Sequence, residues 1–300
     1  MFATGYRDSG ADIAYVLQKQ CGITVITPTE SPGSQSDEGW CFPDHEEGIV
    51  DAVRRGATYL WANTILFAQH PLQTSLHLSD IAKDLRIIGQ PPRFVELFDD
   101  KDFVNEFLRS QHTFTLPQAV MVNEADSLEE NLSAARLAFP IVAKPSRGRG
   151  SHGVRVCRTA NELESHVRSL IKESPSVILE AYLAGQEGTV TVMPPSHTHP
   201  DYWAMPIVVR FNHMDGIAPY NGTVAVTKNS TVLTQAEFDM DPAFARAAEQ
   251  CVSVAKLLQC KAPIRIDIRR FEDAPKSKFA LFDVNMKPVS LIVAAVLQVC

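Results

Sequence analysis

The stretch Phe139-Pro-Ile-Val-Ala-Lys144-Pro-Ser-Arg-Gly148-Arg-Gly150-Ser151-His-Gly153 constrains this chain most. A short apolar run delivers a lysine, and a glycine-rich, serine-bearing turn follows at once. Glycines let backbone N–H groups crowd round an anion, and a nearby lysine supplies the countercharge. The stretch therefore suits a polyphosphate. Its spacing matches G-x-G-x-x-G at Gly148, Gly150 and Gly153, but a dinucleotide fold needs a helix straight after such a loop. Here Val154-Arg-Val-Cys157 alternates like a strand, and a helix start comes only at Thr159, with Glu162 three residues on as its capping-box partner. The order strand, glycine turn, strand, helix excludes the dinucleotide fingerprint. A lysine ahead of the loop excludes the protein-kinase arrangement. The lack of Gly-Lys-Ser/Thr excludes a Walker A loop. A glycine-rich hairpin that binds nothing is still compatible with the loop taken alone.

Before this stretch the chain alternates helix and strand. A helix is expected over Ala11 to Gln20, a strand over Thr24 to Pro28, a helix over about Glu46 to Arg55 and a strand over Tyr59 to Asn63. Such alternation predicts a small parallel sheet. Its opening is odd, because Met1 runs almost directly into Gly5 and the first helix, where a strand would normally lead. Ile87-Ile-Gly89 and Pro91-Pro92 mark a boundary, after which Asp99 to Arg109 reads as an amphipathic helix with Phe103 and Phe107 on one face. Strands are expected near Thr189–Val192, Ile207–Arg210, Val224–Thr227, Ile264–Arg269 and Phe279–Val284, with a helix from Pro242 to Leu258.

Composition narrows the function classes. A net charge of −7 gives no nucleic-acid footprint. None of the six cysteines forms a C-x-x-C pair, so neither a zinc ribbon nor a redox dithiol is indicated, and scattered thiols suit a reducing, cytoplasmic setting. The apolar run Leu291–Leu297 is too short to span a bilayer.

Three further segments bear chemistry. In Val177-Ile-Leu-Glu180-Ala181-Tyr182-Leu183-Ala-Gly-Gln-Glu187 an apolar strand ends in a carboxylate, and a second carboxylate follows. A strand exit can offer backbone groups to an adenine edge and a carboxylate to ribose hydroxyls, although both glutamates would also serve as solvated surface charges. In Ile264-Arg265-Ile-Asp267-Ile-Arg269 alternation puts three charged side chains on one strand face. That face is either the wet side of an edge strand or a face partnered by a metal-bound triphosphate. In Asp283-Val-Asn285 two oxygen ligands at i and i+2 suit a hard cation such as Mg2+, and also suit a turn.

Taken in order, Lys101, Lys144 with its glycine flap, Glu180 to Glu187, Arg265 with Asp267, and Asp283 with Asn285 resemble the ATP-grasp superfamily, and within it the D-alanine–D-alanine ligase-like carboxylate–amine ligases. The resemblance spans about Leu97 to Pro288. It implies an α/β (α+β) chain in which two α+β subdomains, 96–185 and 186–300, grip ATP behind a small parallel α/β pre-grasp domain, 1–95. The pre-grasp domain is expected to lack its first strand and the catalytic subdomain to be truncated.

The resemblance also implies roles. Lys101, Lys144, Gly148, Gly150, Ser151, Gly153, Glu180, Ala181, Tyr182, Leu183 and Glu187 would contact ATP. Asp267, Asp283 and Asn285 would hold Mg2+, with Mn2+ as the alternative. Arg265, Lys144 and Ser151 would act in catalysis, with Arg265 on the oxyanion. Arg210 and Tyr220 fall where acceptor groups lie in such ligases and are the candidate substrate contacts, while His213 is expected to serve structure. The implied reaction phosphorylates a carboxylate and lets an amine attack it. The substrates implied are small molecules, amino acids above all, with a homodimer left open. Three departures stand out: a single Ser151 in the flap, the short Asp283 where a glutamate is usual, and Lys287-Pro288 running into Val-Ser-Leu-Ile. They put D-alanine itself in question. Two alternatives stay open: carboxylate activation of a carboxylase or thioester-forming type, and ATP binding without turnover.

Overall fold

The computed structural model describes residues 7–64, 66–81, 83–147, 151–217 and 229–286. Gly148, Gly150, Tyr220, the strand expected over Val224–Thr227 and the segment from Lys287 onward lie outside the described residues. The chain divides into two compact units: the described residues up to Leu97 with Cys260–Ile264 and Met286, and Phe98–Gln259 with Arg265–Asn285. Among the described residues no helix is long and apolar enough to cross a membrane.

The first unit contains α1 (Arg7–Lys19), α2 (Glu46–Arg54), β1 (Tyr59–Trp61), α3 (Pro71–Thr74), α4 (Leu76–Ile81), β2 (Arg86–Ile88) and the start of α5 (Pro92–Phe98). β1 and β2 run parallel, with Leu60 opposite Ile87, so Tyr59–Trp61 pairs with a segment that the residue pattern marked only as a boundary. The strand expected over Thr24–Pro28 is absent. Val25 instead packs as irregular chain against Ala11, Ala14 and Trp40. Its apolar character is satisfied by burial without a ladder, which is why the residue pattern misleads there. The Gln90 side chain fixes the Cys260–Ile264 segment to this unit, donating to Ala262 O at 2.7 Å and accepting from Lys261 N–H at 2.9 Å.

The second unit opens with α6 (Lys101–Ser110). Asp100 is its N-cap and accepts from the N–H groups of Asp102 and Phe103, so Lys101 is held at the first helical position. The buried stripe of α6 is Val104, Asn105 and Leu108. Phe103 and Phe107 do share a face, with rings stacked at 6.3 Å, but that face is toward solvent at Phe103.

Next come β3 (Ala119–Val122), α7 (Leu128–Ala134), β4 (Ile141–Pro145), β5 (Arg155–Cys157), α8 (Ala160–Leu170) and β6 (Val177–Ala181). The four strands form one antiparallel sheet in the order β3-β6-β4-β5. Val122, Ile141, Ala143, Cys157, Val177 and Leu179 pack there against Leu163, Val167 and Leu170 of α8. Thr159 caps α8 as expected, accepting from Glu162 N–H, but Glu162 reaches back to Arg158 N–H rather than closing a reciprocal box.

The rest is β7 (Glu187–Met193), β8 (Trp203–Ala204), β9 (Val208–Arg210), β10 (Ser230–Val232), α9 (Gln235–Met240), α10 (Pro242–Leu257), β11 (Ile264–Arg270) and β12 (Phe279–Asn285). These strands form a second sheet, β10-β9-β7-β11-β12, with β8 beside β7. Period-two alternation gives it two unlike faces. Ile266 and Ile268 occupy the apolar face of β11, and α10 packs on β7 and β12. Arg270 shares that apolar face but is fully occupied: it donates to Asp241 Oδ2 and Ser277 O, each at 2.6 Å, and lies over the Phe279 ring. The opposite face is polar and carries the site.

Candidate active site

On both sides of the glycine turn the described residues follow the predicted order, strand before and strand after. β4 and β5 pair antiparallel, with Ile141 opposite Cys157, so Lys144 leaves β4 just before the turn. Gly153 closes the turn at φ 71°, and a Cβ there would lie 2.8 Å from Leu170 Cδ2 and 3.2 Å from Pro145 Cδ. Conformation and space therefore both require glycine at this position. Ser151, also at positive φ, is exposed on the same turn.

Lys144 is 4 % exposed and carries its charge across to the second sheet. Its Nζ donates to Glu180 Oε1 at 2.7 Å and to Phe282 O at 3.2 Å. Glu180 is no surface charge: it is buried on β6 opposite Val142, and among the described residues its Oε2 has no hydrogen-bond partner. A buried carboxylate oxygen without a donor is costly unless a ligand or cation completes it. Lys101 meets β12 in the same way, its Nζ lying 2.6 Å from Asp283 Oδ1. Its backbone N–H donates to Ser146 O, which ties α6 to the base of the flap.

β11 is an interior strand between β7 and β12, so the wet-edge reading of its charged face is wrong. Arg265, Asp267 and Arg269 are all buried. Asp267 lies directly opposite Asp283, and Arg265 opposite Asn285. Asp267 Oδ2 accepts from Arg265 Nη2 at 3.0 Å and Asn285 Nδ2 at 3.3 Å, while its Oδ1 is buried and without a partner among the described residues. Burial pushes the Asp283 carboxyl upward, but Lys101, Lys144 and Arg265 outweigh it and hold the carboxyl below the usual range, so it is ionised at neutral pH.

Among the described residues no cage of three or more His, Cys, Asp or Glu side chains exists. The predicted trio offers two carboxylates on facing strands and one amide. That donor set fits a hard divalent cation sharing its shell with phosphate oxygens, because such ions take one or two carboxylates from the protein. The partnerless Asp267 Oδ1 is the position such an ion would complete.

The sugar-side candidates form a second group. Glu187 is buried and accepts from His213 Nε2 at 2.9 Å and Arg269 Nη1 at 3.5 Å, with Arg210 Nε at 3.9 Å from its other oxygen. Arg210 and Glu187 are cross-strand partners, so Arg210, a candidate substrate contact, faces Glu187. Tyr182 hydroxyl accepts from Arg269 Nη2 at 3.2 Å. Ala181 ends β6, and Leu183 is buried just beyond it. Arg269 escaped assignment from sequence, although its alternation with Arg265 and Asp267 was the available signal.

Solved structures with this fold include D-alanine–D-alanine ligase from Bacillus anthracis complexed with ATP, at TM-score 0.58 and 16 % identity over 83 % of this chain and 77 % of that one. The D-alanine–D-alanine ligase of Coxiella burnetii matches at TM-score 0.57 and 14 % identity, over 78 % of this chain and 60 % of that one. VanG D-Ala:D-Ser ligase from Enterococcus faecalis matches at TM-score 0.54 and 19 % identity, over 78 % and 64 %. The architecture is thus the α/β ATP-grasp fold. Residues 110–291, more than half of the chain, match the family model described as D-ala D-ala ligase C-terminus, and the chain belongs to that family. It is an ATP-dependent carboxylate–amine ligase. Ligases of this kind act on small-molecule amino acids and use ATP with a divalent metal ion.

Proposed function

We propose that this enzyme joins two amino acids, activating the carboxylate of one as an acyl phosphate and passing it to the amine of the other. The observation that carries this reading is the convergence of Lys101 and Lys144 on the carboxylates of β6 and β12, beside the buried, partnerless Asp267 Oδ1. Lys101 and Lys144 hold the phosphates of ATP, exchanging their carboxylate partners for phosphate oxygens. Glu180, Ala181, Tyr182 and Leu183 line the adenine, Glu187 takes the ribose hydroxyls, and Gly148, Gly150, Ser151 and Gly153 close over the triphosphate. Asp267, Asp283 and Asn285 hold Mg2+ or Mn2+, which when bound offsets charge on the transferring phosphoryl group. Arg265 donates to the oxyanion formed when the amine attacks the acyl phosphate. Lys144 and Ser151 orient the γ-phosphoryl group. Arg210 and Tyr220 are assigned to the acceptor side.

In domain terms, residues 1–95 serve as the pre-grasp domain, supported by the parallel β1–β2 pair, and the grasp divides near residue 185, between β6 and β7. Cys41, Cys157 and Cys251 carry free thiols, which supports a cytoplasmic setting. The test is a phosphate-release screen over paired amino acids with mass spectrometry of the products. Release that needs both an acid and an amine, with a dipeptide formed, is expected. Release that needs coenzyme A, or carboxylate-stimulated release that no amine increases, would overturn the assignment.

A further inference from the structure

The Arg269 guanidinium is buried on the polar face of β11, two positions beyond Asp267, and has no part in the chemistry above. It engages four groups at once. Nε donates to Gly185 O at 3.1 Å, Nη2 to Tyr182 hydroxyl at 3.2 Å, and Nη1 to Gly216 O at 2.6 Å and to Glu187 Oε2 at 3.5 Å. The same group stacks over the Tyr182 ring at 5.1 Å from its centroid. Only a planar fork of five donors reaches this set, and a lysine in its place would keep the charge and lose most of the bonds.

These partners belong to two pieces of chain. Tyr182, Gly185 and Glu187 are the exit of β6 and the entry to β7. Gly216 belongs to the turn Asn212–Ile217, which is wound tightly. Asn212, Asp215 and Gly216 all have positive φ, and Met214 and Ile217 bond to each other through both backbone pairs. The turn is pressed onto Tyr182: a Cβ at Gly216 would come within 2.9 Å of the tyrosine hydroxyl oxygen. From the same turn His213 Nε2 reaches Glu187 Oε2, the oxygen that Arg269 also contacts. Glu187 Oε2 is thereby held from two directions. Oε1 faces Arg210 Nε at 3.9 Å, beyond hydrogen-bond range, and keeps acceptor capacity for a ligand.

We propose that Arg269 is a positioning residue for nucleotide selection. With His213 it fixes the rotamer of Glu187 so that Oε1 meets the sugar hydroxyls, and it buttresses Tyr182 beside the base. This rests on the reading of Glu187 as the ribose carboxylate. Hydroxyl discrimination is sensitive to such support, because a site built to bond a hydroxyl rejects an analogue lacking it only while the acceptor is held in place.

The test measures binding of ATP, 2′-deoxy-ATP and 3′-deoxy-ATP by displacement of a fluorescent nucleotide, with no amino acid present. Wild-type protein is expected to prefer ATP over at least one deoxy form, and Glu187→Gln to lose that preference. If the wild type shows no preference, or Glu187→Gln keeps it, the ribose reading of Glu187 fails, and this inference fails with it. Given that preference, Arg269→Lys is expected to bind ATP ~10-fold more weakly and to approach equal affinity for the deoxy analogue, with kcat at saturating ATP within about twofold of wild type. A uniform weakening toward all three nucleotides, or an unchanged ratio, would overturn the proposal and leave Arg269 a packing residue. Should Arg269→Lys fail to fold, Tyr182→Phe and His213→Gln each remove one strut. Both are expected to reduce the ratio in part, and an unchanged ratio in both overturns the proposal.

Discussion

The two sheets of the second unit treat charge in opposite ways. The four-stranded sheet β3-β6-β4-β5 buries an apolar cluster against α8 and commits one buried ion pair, Lys144 with Glu180, to its other side. The sheet built on β7, β11 and β12 lays Glu187, Arg265, Asp267, Arg269, Asp283 and Asn285 along one face, where Glu187 meets Arg269, Asp267 meets Arg265 and Asn285, and Asp283 turns to Lys101. A buried ion pair contributes little to stability after its desolvation cost. The difference teaches that the first sheet packs an apolar cluster and aims one lysine, whereas the second gives up apolar packing on one face to a row of charged side chains.

Substitutions can break that division. The largest effect is expected where the two sheets' charges meet: Asp267→Ala on the polar face, or Lys144→Ala on the four-stranded sheet, should lower ligase turnover by at least ~10³-fold while far-ultraviolet dichroism is retained. Retention of wild-type turnover by either would place the chemistry elsewhere. The reverse is expected in the apolar cluster. Leu179→Ala should cost about 2–5 kcal/mol in denaturant unfolding, with the KM for ATP of the folded fraction unchanged.

A smaller effect belongs to the N-cap of α10. Asp241 accepts from Ala243 N–H and from Arg270 on the apolar face of the second sheet. Asp241→Ala should cost about 1–2 kcal/mol. Burial pushes the Asp241 carboxyl up, but the Ala243 N–H and Arg270 outweigh it, so the folded value lies below the ordinary one. Its stabilisation is therefore complete above the unfolded carboxylate range, about pH 4, and is lost as pH falls through the folded value. The variant should show a shallower fall in stability on the acid side, and an unchanged slope would remove Asp241 as its source. The smallest signal is kinetic. Burial pushes the thiols of Cys157 and Cys251 up, so neither should react with a disulfide reagent in the folded protein. Cys157, on β5 at the end of its sheet, should become reactive before Cys251 of α10 at low denaturant. The opposite order would make the four-stranded sheet the more stable half.

Legibility from sequence followed the range of the interaction. Thr159, Asp100 and Asp241 are local caps, and the helices they start were readable or nearly so. The flap hairpin was readable because its glycines, lysine and alternation lie within a few residues of each other. Thr24–Pro28 failed because its pattern carries no information about whether a ladder partner exists. The site motifs were legible as types and their sheet faces followed from alternation, but their burial was not: Glu180 and Glu187, read alone, favour solvent-facing charges, yet both are buried. The facing of Asp267 and Asp283, and the reach of Arg269 to Gly216, depend on strand neighbours that alternation leaves open.

The Lys101–Asp283 pair has a consequence for the life of the newly made chain. Lys144 meets Glu180 only 36 positions after its own synthesis, whereas Lys101 must wait 182 positions for Asp283, and Lys144 waits 138 for Phe282. At ~5–20 residues per second, the four-stranded sheet has left the ribosome several seconds before β12 does. Until β12 arrives, Lys101 of the emerging chain is without the carboxylate it meets in the finished fold. The pairing of Lys101 with Asp283 therefore forms late, only after the last described strand of the sheet has been made.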